Sequence, residues 1–134
     1  MGILSGTRPA DLGVRNGKLK AAPSSPNAVS SQATGGYHQI APLACKGSQE
    51  QAMKALKAIV ESTPNARIGE MRPDYLYAEY ASALLGFVDD VEFYFPPGGN
   101  IIHVRSASRV GHSDFGVNRK RIEAIRARLV QAGA

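Results

Sequence analysis

Cysteine is almost missing from this sequence, tryptophan is wholly missing, and no long apolar run interrupts it. A single cysteine, Cys45, in 134 residues excludes an internal disulfide and a zinc site built of cysteines alone, so nothing calls for an oxidising compartment. No stretch approaches the roughly 18 consecutive apolar residues of a membrane span, and Met1 to Gly6 is too short and polar for the core of a secretory leader. The chain is therefore expected to be cytoplasmic, without a membrane span, with export of a longer precursor left open.

Several chemical signatures are missing too. There is no Walker loop, dinucleotide fingerprint or nucleophile elbow, and Gly98-Gly99 reads as a hairpin turn. His38, His103 and His112 lie far apart and lack the i, i+4 spacing of a helical metal pair, so no metal and no cofactor is expected. His112-Ser113-Asp114 is not a catalytic triad, because adjacent residues do not present nucleophile, base and orienter in line.

What is present is an uneven charge. Residues 1 to 38 carry four basic and one acidic group, residues 39 to 104 five and eight, and residues 105 to 134 seven and two, so the formal excess of +5 lies in the last segment. A basic surface attracts nucleic acid, anionic lipid or acidic protein. The strands lack a basic surface with interleaved aromatics, and Asp90 and Glu92 would repel phosphates, so nucleic acid is an unfavoured partner.

Composition divides the chain into an irregular arm, 1–36, expected to dock on the domain, and an α+β domain, 37–134. The arm is rich in Gly, Ser, Pro, Asn and Ala, and its Val29-Ser30-Ser31 could lie along a sheet edge. Tyr37 to Leu43 reads as a short strand ending at Pro42. Ser48 with Gln51 forms a capping box, and Ala52, Met53, Leu56, Ile59 and Val60 make an apolar helical stripe that stops at Pro64. Four strands follow, Ala66 to Glu70, Tyr75 to Ser82, Asp90 to Phe95 and Asn100 to Ser106, separated by Arg72-Pro73-Asp74, Leu85-Gly86 and Pro96-Pro97-Gly98-Gly99.

Alternation puts Val91, Phe93 and Phe95 on one face with Leu76, Ala78 and Tyr80, and Asp90, Glu92 and Tyr94 on the other. In the last strand Ile102 and Val104 oppose Ile101, His103 and Arg105, and the face taken by Ile101 stays open. A final helix from about Phe115 to Gln131 buries Ile122, Ile125 and Leu129, with Ser113, Asp114 and Asn118 as competing N-caps. The order β-α-β-β-β-β-α predicts a single α+β domain, a curved antiparallel sheet of about five strands with two helices on one face. In layout it is similar to the TATA-binding-protein-like arrangement.

Functional chemistry concentrates where the last strand meets the last helix. Arg105, Ser106, Ser108, Arg109, Ser113, Asp114, Asn118 and Arg119, with the backbone at Gly111 and Gly116, are candidate ligands for an anion, because guanidinium forks and free N–H groups suit carboxylate or phosphate. The same arginines could instead pair with Asp89, Asp90, Glu92 or Asp114 and lock the strand to its neighbour. Glu79, Asp89 and Asp90 are the candidate acid–base groups.

Motifs along nearly the whole chain fit one family. Arg8-Pro9 with Leu12-Gly13, Ser24-Ser25-Pro26-Asn27 with Val29-Ser30-Ser31, and His38 with Pro42-Leu43 come first. Tyr75-Leu76-Tyr77-Ala78-Glu79, Phe87-Val88-Asp89-Asp90-Val91-Glu92-Phe93 and Val104 through Arg119 follow. In these the chain resembles the DUF1499 family, which has no assigned function. The resemblance implies small bacterial proteins, some exported or lipid-anchored, with relatives in cyanobacteria and plastids. Ala28 stands where many members have cysteine, which weakens any thiol role for the arm.

The reading these residues favour is a binding or accessory domain holding a small anionic or amphipathic ligand, or an acidic segment of a protein partner, at the strand–helix connection. The alternatives are a cofactor-free hydrolase or isomerase using Glu79, Asp89 or Asp90 with arginine stabilisation, and a scaffold subunit of a larger assembly.

Overall fold

The computed structural model describes residues 6–82 and 86–134. Its elements are β1 (Ala28–Ser30), β2 (Leu43–Ala44), α1 (Gln49–Glu61), β3 (Ala66–Arg72), β4 (Tyr75–Ala81), β5 (Val88–Tyr94), β6 (Ile101–Ser108) and α2 (Val117–Gln131). The strands form one antiparallel sheet in the order β1-β6-β5-β4-β3, with the short β2 also paired to β6. This is an α+β domain with the expected β-α-β-β-β-β-α order, preceded by one further strand, β1, at the edge position open to Val29 and Ser30.

Local chemistry explains the elements. Ser48 accepts from the Gln51 amide while the Gln51 side chain accepts from Ser48 N–H, closing the capping box of α1. The α1 stripe is buried at Ala52, Met53, Leu56, Ile59 and Val60 as its spacing requires. Pro73 stands in the tight connection from β3 to β4, and Gly98 (φ +68°) in the one from β5 to β6. Of the Leu85-Gly86 turn, Leu85 lies outside the described residues. Gly69 sits at a register irregularity of β3, where a Cβ would come within 2.7 Å of the Tyr77 ring. Only glycine leaves room for that ring.

Three expectations are corrected. Tyr37 to Pro42 is not a strand: Pro42 has no N–H to give a ladder, and the segment runs beside β1 by a single bridge, with Ser30 N–H donating to His38 O at 2.7 Å. The paired residues are Leu43 and Ala44. The last helix starts at Val117 rather than near Phe115, because Phe115 (φ +52°) and Gly116 (φ +81°) are both left-handed. The sheet is open and uncurled rather than curved, with β1 and β3 as its edges; with both faces covered by other parts of the chain, curling is not needed to shield either.

One face carries the main core, in which Leu76, Ala78, Val91, Phe93, Ile102 and Val104 pack with the apolar sides of α1 and α2. The opposite face presents Tyr75, Tyr77, Glu79, Asp90, Glu92, Tyr94 and Arg105. It is also buried. Leu12, Val14 and Leu19 of the arm pack against Tyr75, Tyr77 and Tyr94 and cover it. His103 and Arg105 share this covered face while Ile102 and Val104 point to the helices.

Phe93, fully buried at the centre of the main core, sets the first expected outcome. Phe93→Ala should cost about 3–5 kcal/mol, read as a lower urea midpoint with an unchanged slope.

Candidate functional site

The alternation of β6 sends the connection's side chains to two different places. Towards the arm, Arg105 and Arg109 join a buried layer of charge. Towards α2, Ser106 and Ser108 join a polar cluster at the start of the helix.

In the charged layer Arg109 is the hub. Its Nε donates to Asp90 Oδ2 at 3.0 Å and its Nη2 to Asp90 Oδ1 at 2.8 Å. The same Nη2 reaches Glu79 Oε2 and the Tyr77 hydroxyl oxygen, and Tyr77 in turn donates to Asp90. The side chains of Arg109 and Asp90 are only 3% and 2% exposed. Glu79 collects two further cations from the rim, Arg67 at 2.7 Å and Arg8 at 3.2 Å, and Arg8 also lies over the Tyr77 ring. Burial pushes the Glu79 carboxyl up, but the hydrogen bonds from Arg109, Arg67 and Arg8 outweigh it and hold the group at about 2. A carboxylate so held is an anchor at neutral pH, not a proton shuttle. Burial and the bond to Asp90 push the Tyr77 hydroxyl above its ordinary range.

At the helix start Asn118 is fully buried and saturated. It accepts from Ser106 Oγ at 2.6 Å and Arg121 Nη1 at 2.8 Å, and its Nδ2 donates to Asp114 Oδ2, Ser108 Oγ and the Asn27 carbonyl. Asp114 does the capping that Gly116 lacks a side chain for, accepting from the amides of Gly116 and Asn118. Tyr37 OH donates to the same carboxylate at 2.5 Å. Burial raises the Asp114 carboxyl, but the bonds from Tyr37, Asn118 and Gly116 leave it below its ordinary value. Gly111 receives the Asn27 amide on its carbonyl, and Ser113 accepts from Phe115 N–H. Arg119 spends its guanidinium on the Tyr37 and Gln39 carbonyls.

The three candidate acid–base groups are therefore split. Glu79 and Asp90 meet at Arg109, whereas Asp89 points to the helix side and pairs with Arg121 at 2.7 Å. His103 meets Ser31 Oγ and His38 meets the Ser25 carbonyl, and among the described residues no group of three or more His, Cys, Asp or Glu is placed to hold a metal.

Sequence reasoning missed Arg121, Asn27, Tyr37 and Arg8. For Arg121 a signal existed: it lies three residues after Asn118 and so on the same helix face. For Asn27, 91 residues from its Asn118 partner, no local signal exists.

Beside the cluster a cleft of about 390 Å³ opens between the ends of β4, β5 and β6 and the start of α2. Ser108, Gly111, Ser113 and Asp114 line it with the Asp89–Arg121 pair, and Phe87, Val110, Phe115 and Val117 make its apolar wall. Phe115 is 88% exposed and Val117 48%. The backbone turn that precedes α2 holds both beside the cleft.

Fold and site together describe a single-domain α+β protein whose sheet is covered by two helices on one face and by an N-terminal arm on the other. The chain belongs to the family described as "Protein of unknown function (DUF1499)", whose model matches residues 18–129 of the 134. No curated protein matches it. Among the described residues no helix is long and apolar enough to cross a membrane. Ala28 is fully buried in β1 opposite Ala107.

Two outcomes follow from the charged layer. Arg109→Leu should cost about 3–5 kcal/mol, because Asp90 would stay buried without its countercharge, and denaturant unfolding reads this directly. Glu79 is lowered from 4.5 to about 2 on folding, so its stabilisation is complete above the upper value and lost as pH falls through the lower one. Glu79→Gln should flatten the acid limb of stability between those two values and leave its shape near pH 7 unchanged.

Proposed function

We propose that the chain is a non-enzymatic binding or accessory domain that takes a small amphipathic ligand in the cleft beside the start of α2. The observation that carries this reading is Phe115, a large apolar side chain left 88% exposed on a left-handed residue at φ +52°. A β-carbon residue in that conformation is uncommon, and such geometry concentrates where a protein positions a group for use. Phe115, Val117 and Val110 would cover the apolar body of the ligand, while Ser108, Ser113 and the Asp89–Arg121 pair would meet its polar head.

A small ligand is favoured over an acidic partner segment because the basic helix has few free arginines. Arg119 and Arg126 donate to the carbonyls of residues 37, 39, 41 and 42, and Arg128 to the C-terminal end of α1. The hydrolase or isomerase reading is less favoured, since Glu79, Asp89 and Asp90 each face an arginine already. A reducing, cytoplasmic setting belongs to the proposal and accords with the buried, unpaired Cys45.

Native mass spectrometry of protein purified gently from a cell of its own kind is the test. Extra mass that leaves on denaturation is expected. Phe115→Ser should weaken its retention by about tenfold or more, the share of binding a buried phenyl ring supplies, without lowering the melting temperature. A bare chain in both samples, or a ligand held equally by the variant, would overturn the reading.

A further inference from the structure

The arm-covered face holds a second buried cation, and its neighbours leave it poorly satisfied. Arg105 stands near the centre of β6 with a side chain 4% exposed, opposite a Glu92 side chain that is fully buried. Arginine and carboxylate in so dry a place normally close to a forked contact of roughly 2.8 Å. Here Nη1 stops 3.9 Å from Glu92 Oε1. The carboxylate is held elsewhere: its other oxygen accepts from the Tyr75 hydroxyl at 2.6 Å and the Gly13 amide at 2.7 Å. Arg105 keeps a 3.4 Å bond from Nη2 to the Ala21 carbonyl, while among the described residues its Nε–H and Glu92 Oε1 have no hydrogen-bond partner.

A guanidinium offers five N–H donors in one plane, and burying the charge with several of them unmet is unfavourable unless an acceptor reaches them. Arg105 borders a cavity of about 250 Å³ between the arm and the sheet. The described lining brings three cations, Lys20, Arg105 and Arg109, against one carboxylate, Asp90, with a hydroxyl from Thr7. Asp90 is paired with Arg109 and accepts from the Tyr77 hydroxyl, so its repulsion of an incoming anion is reduced. Lys20 leans out to the more exposed Asp11 at 2.8 Å, a contact that water competes for. The group with donors to spare is Arg105.

We infer that Arg105 is the floor of a site for a small oxoanion, a carboxylate or phosphate group, held between the arm and the sheet. The fork geometry of arginine matches either group. Lys20 and Thr7 reach the anion from the arm and Arg105 from β6, so the ligand ties the arm to the sheet. The site is distinct from the amphipathic cleft, which lies on the helix side of the sheet and uses none of Arg105, Lys20 or Thr7; Ser108 borders both, with its hydroxyl bonded to Asn118 on the helix side.

Nitrogen-15 NMR of the full chain reads the Arg105 Nε–H itself. Inorganic phosphate and, separately, malonate are titrated at constant ionic strength held with sodium chloride. The expected result is a saturable shift of the Arg105 Nε–H signal with a much smaller shift of Arg109 Nε–H, which Asp90 already occupies. Lys20→Gln should raise the saturating concentration at least threefold with no change in melting temperature, and Phe115→Ser should leave it unchanged. Whichever anion saturates first identifies the group that the site takes. Linear shifts with both anions, a shift shared by exposed lysine and arginine signals, or saturation unaltered in Lys20→Gln would each overturn the site.

Discussion

A guanidinium pinned between two carboxylates in the dry space under the arm is the constraint on which the rest of the covered face depends. Arg109 leaves the end of β6, Asp90 comes from β5 and Glu79 from β4, so one side chain fastens three successive strands. A charge buried this deeply is tolerable only with its partners in place. The strands are therefore tied at this point by electrostatics as well as by their ladders. The arm then becomes necessary, because Leu12, Val14 and Leu19 exclude water from the tyrosines beside the charged layer, and Arg8 and the Gly13 amide supply contacts the carboxylates need.

The two faces of β6 carry different chemistry for a simple reason. Successive side chains of a strand point to opposite faces. Arg105 goes to the arm and Ser106 to the helix. The connection that looks in sequence like one arginine- and serine-rich site becomes two separate environments, a charged layer and a helix-capping cluster, with a cavity beside each. The basic character of α2 is turned to similar structural use. Its arginines reach carbonyls in the 37–42 segment and at the end of α1, where cations complement the unpaired acceptors of a helix C-terminus. Positive charge that reads as a binding surface is spent mostly on holding irregular backbone.

The legible part of the molecule is the part with short-range causes. The capping box at Ser48, the stripe from Ala52 to Val60, the alternation of Val91 and Phe93 against Asp90 and Glu92, and the turns at Pro73 and Gly98 each depend on residues within a few positions, and each is observed. Pairing of Arg105 and Arg109 with acidic neighbours was one of two readings the charges allowed, and carboxylates do stand opposite both. Backbone conformation was less legible at Phe115, because a left-handed phenylalanine is set by what surrounds it and not by its own preference.

By itself, then, the sequence determined the order of elements from α1 onwards, the apolar sides of both helices, the faces of the alternating residues in β4, β5 and β6 other than Ile101, and the concentration of chemistry between Arg105 and Arg119. Only the tertiary structure decided which partners those residues meet. Asn118 finds Asn27 across 91 positions and Arg8 finds Glu79 across 71. Contacts at that separation leave no periodicity along the chain, since they arise from the way the arm crosses the finished sheet, and it is the burial imposed by that crossing that gives each charge its environment.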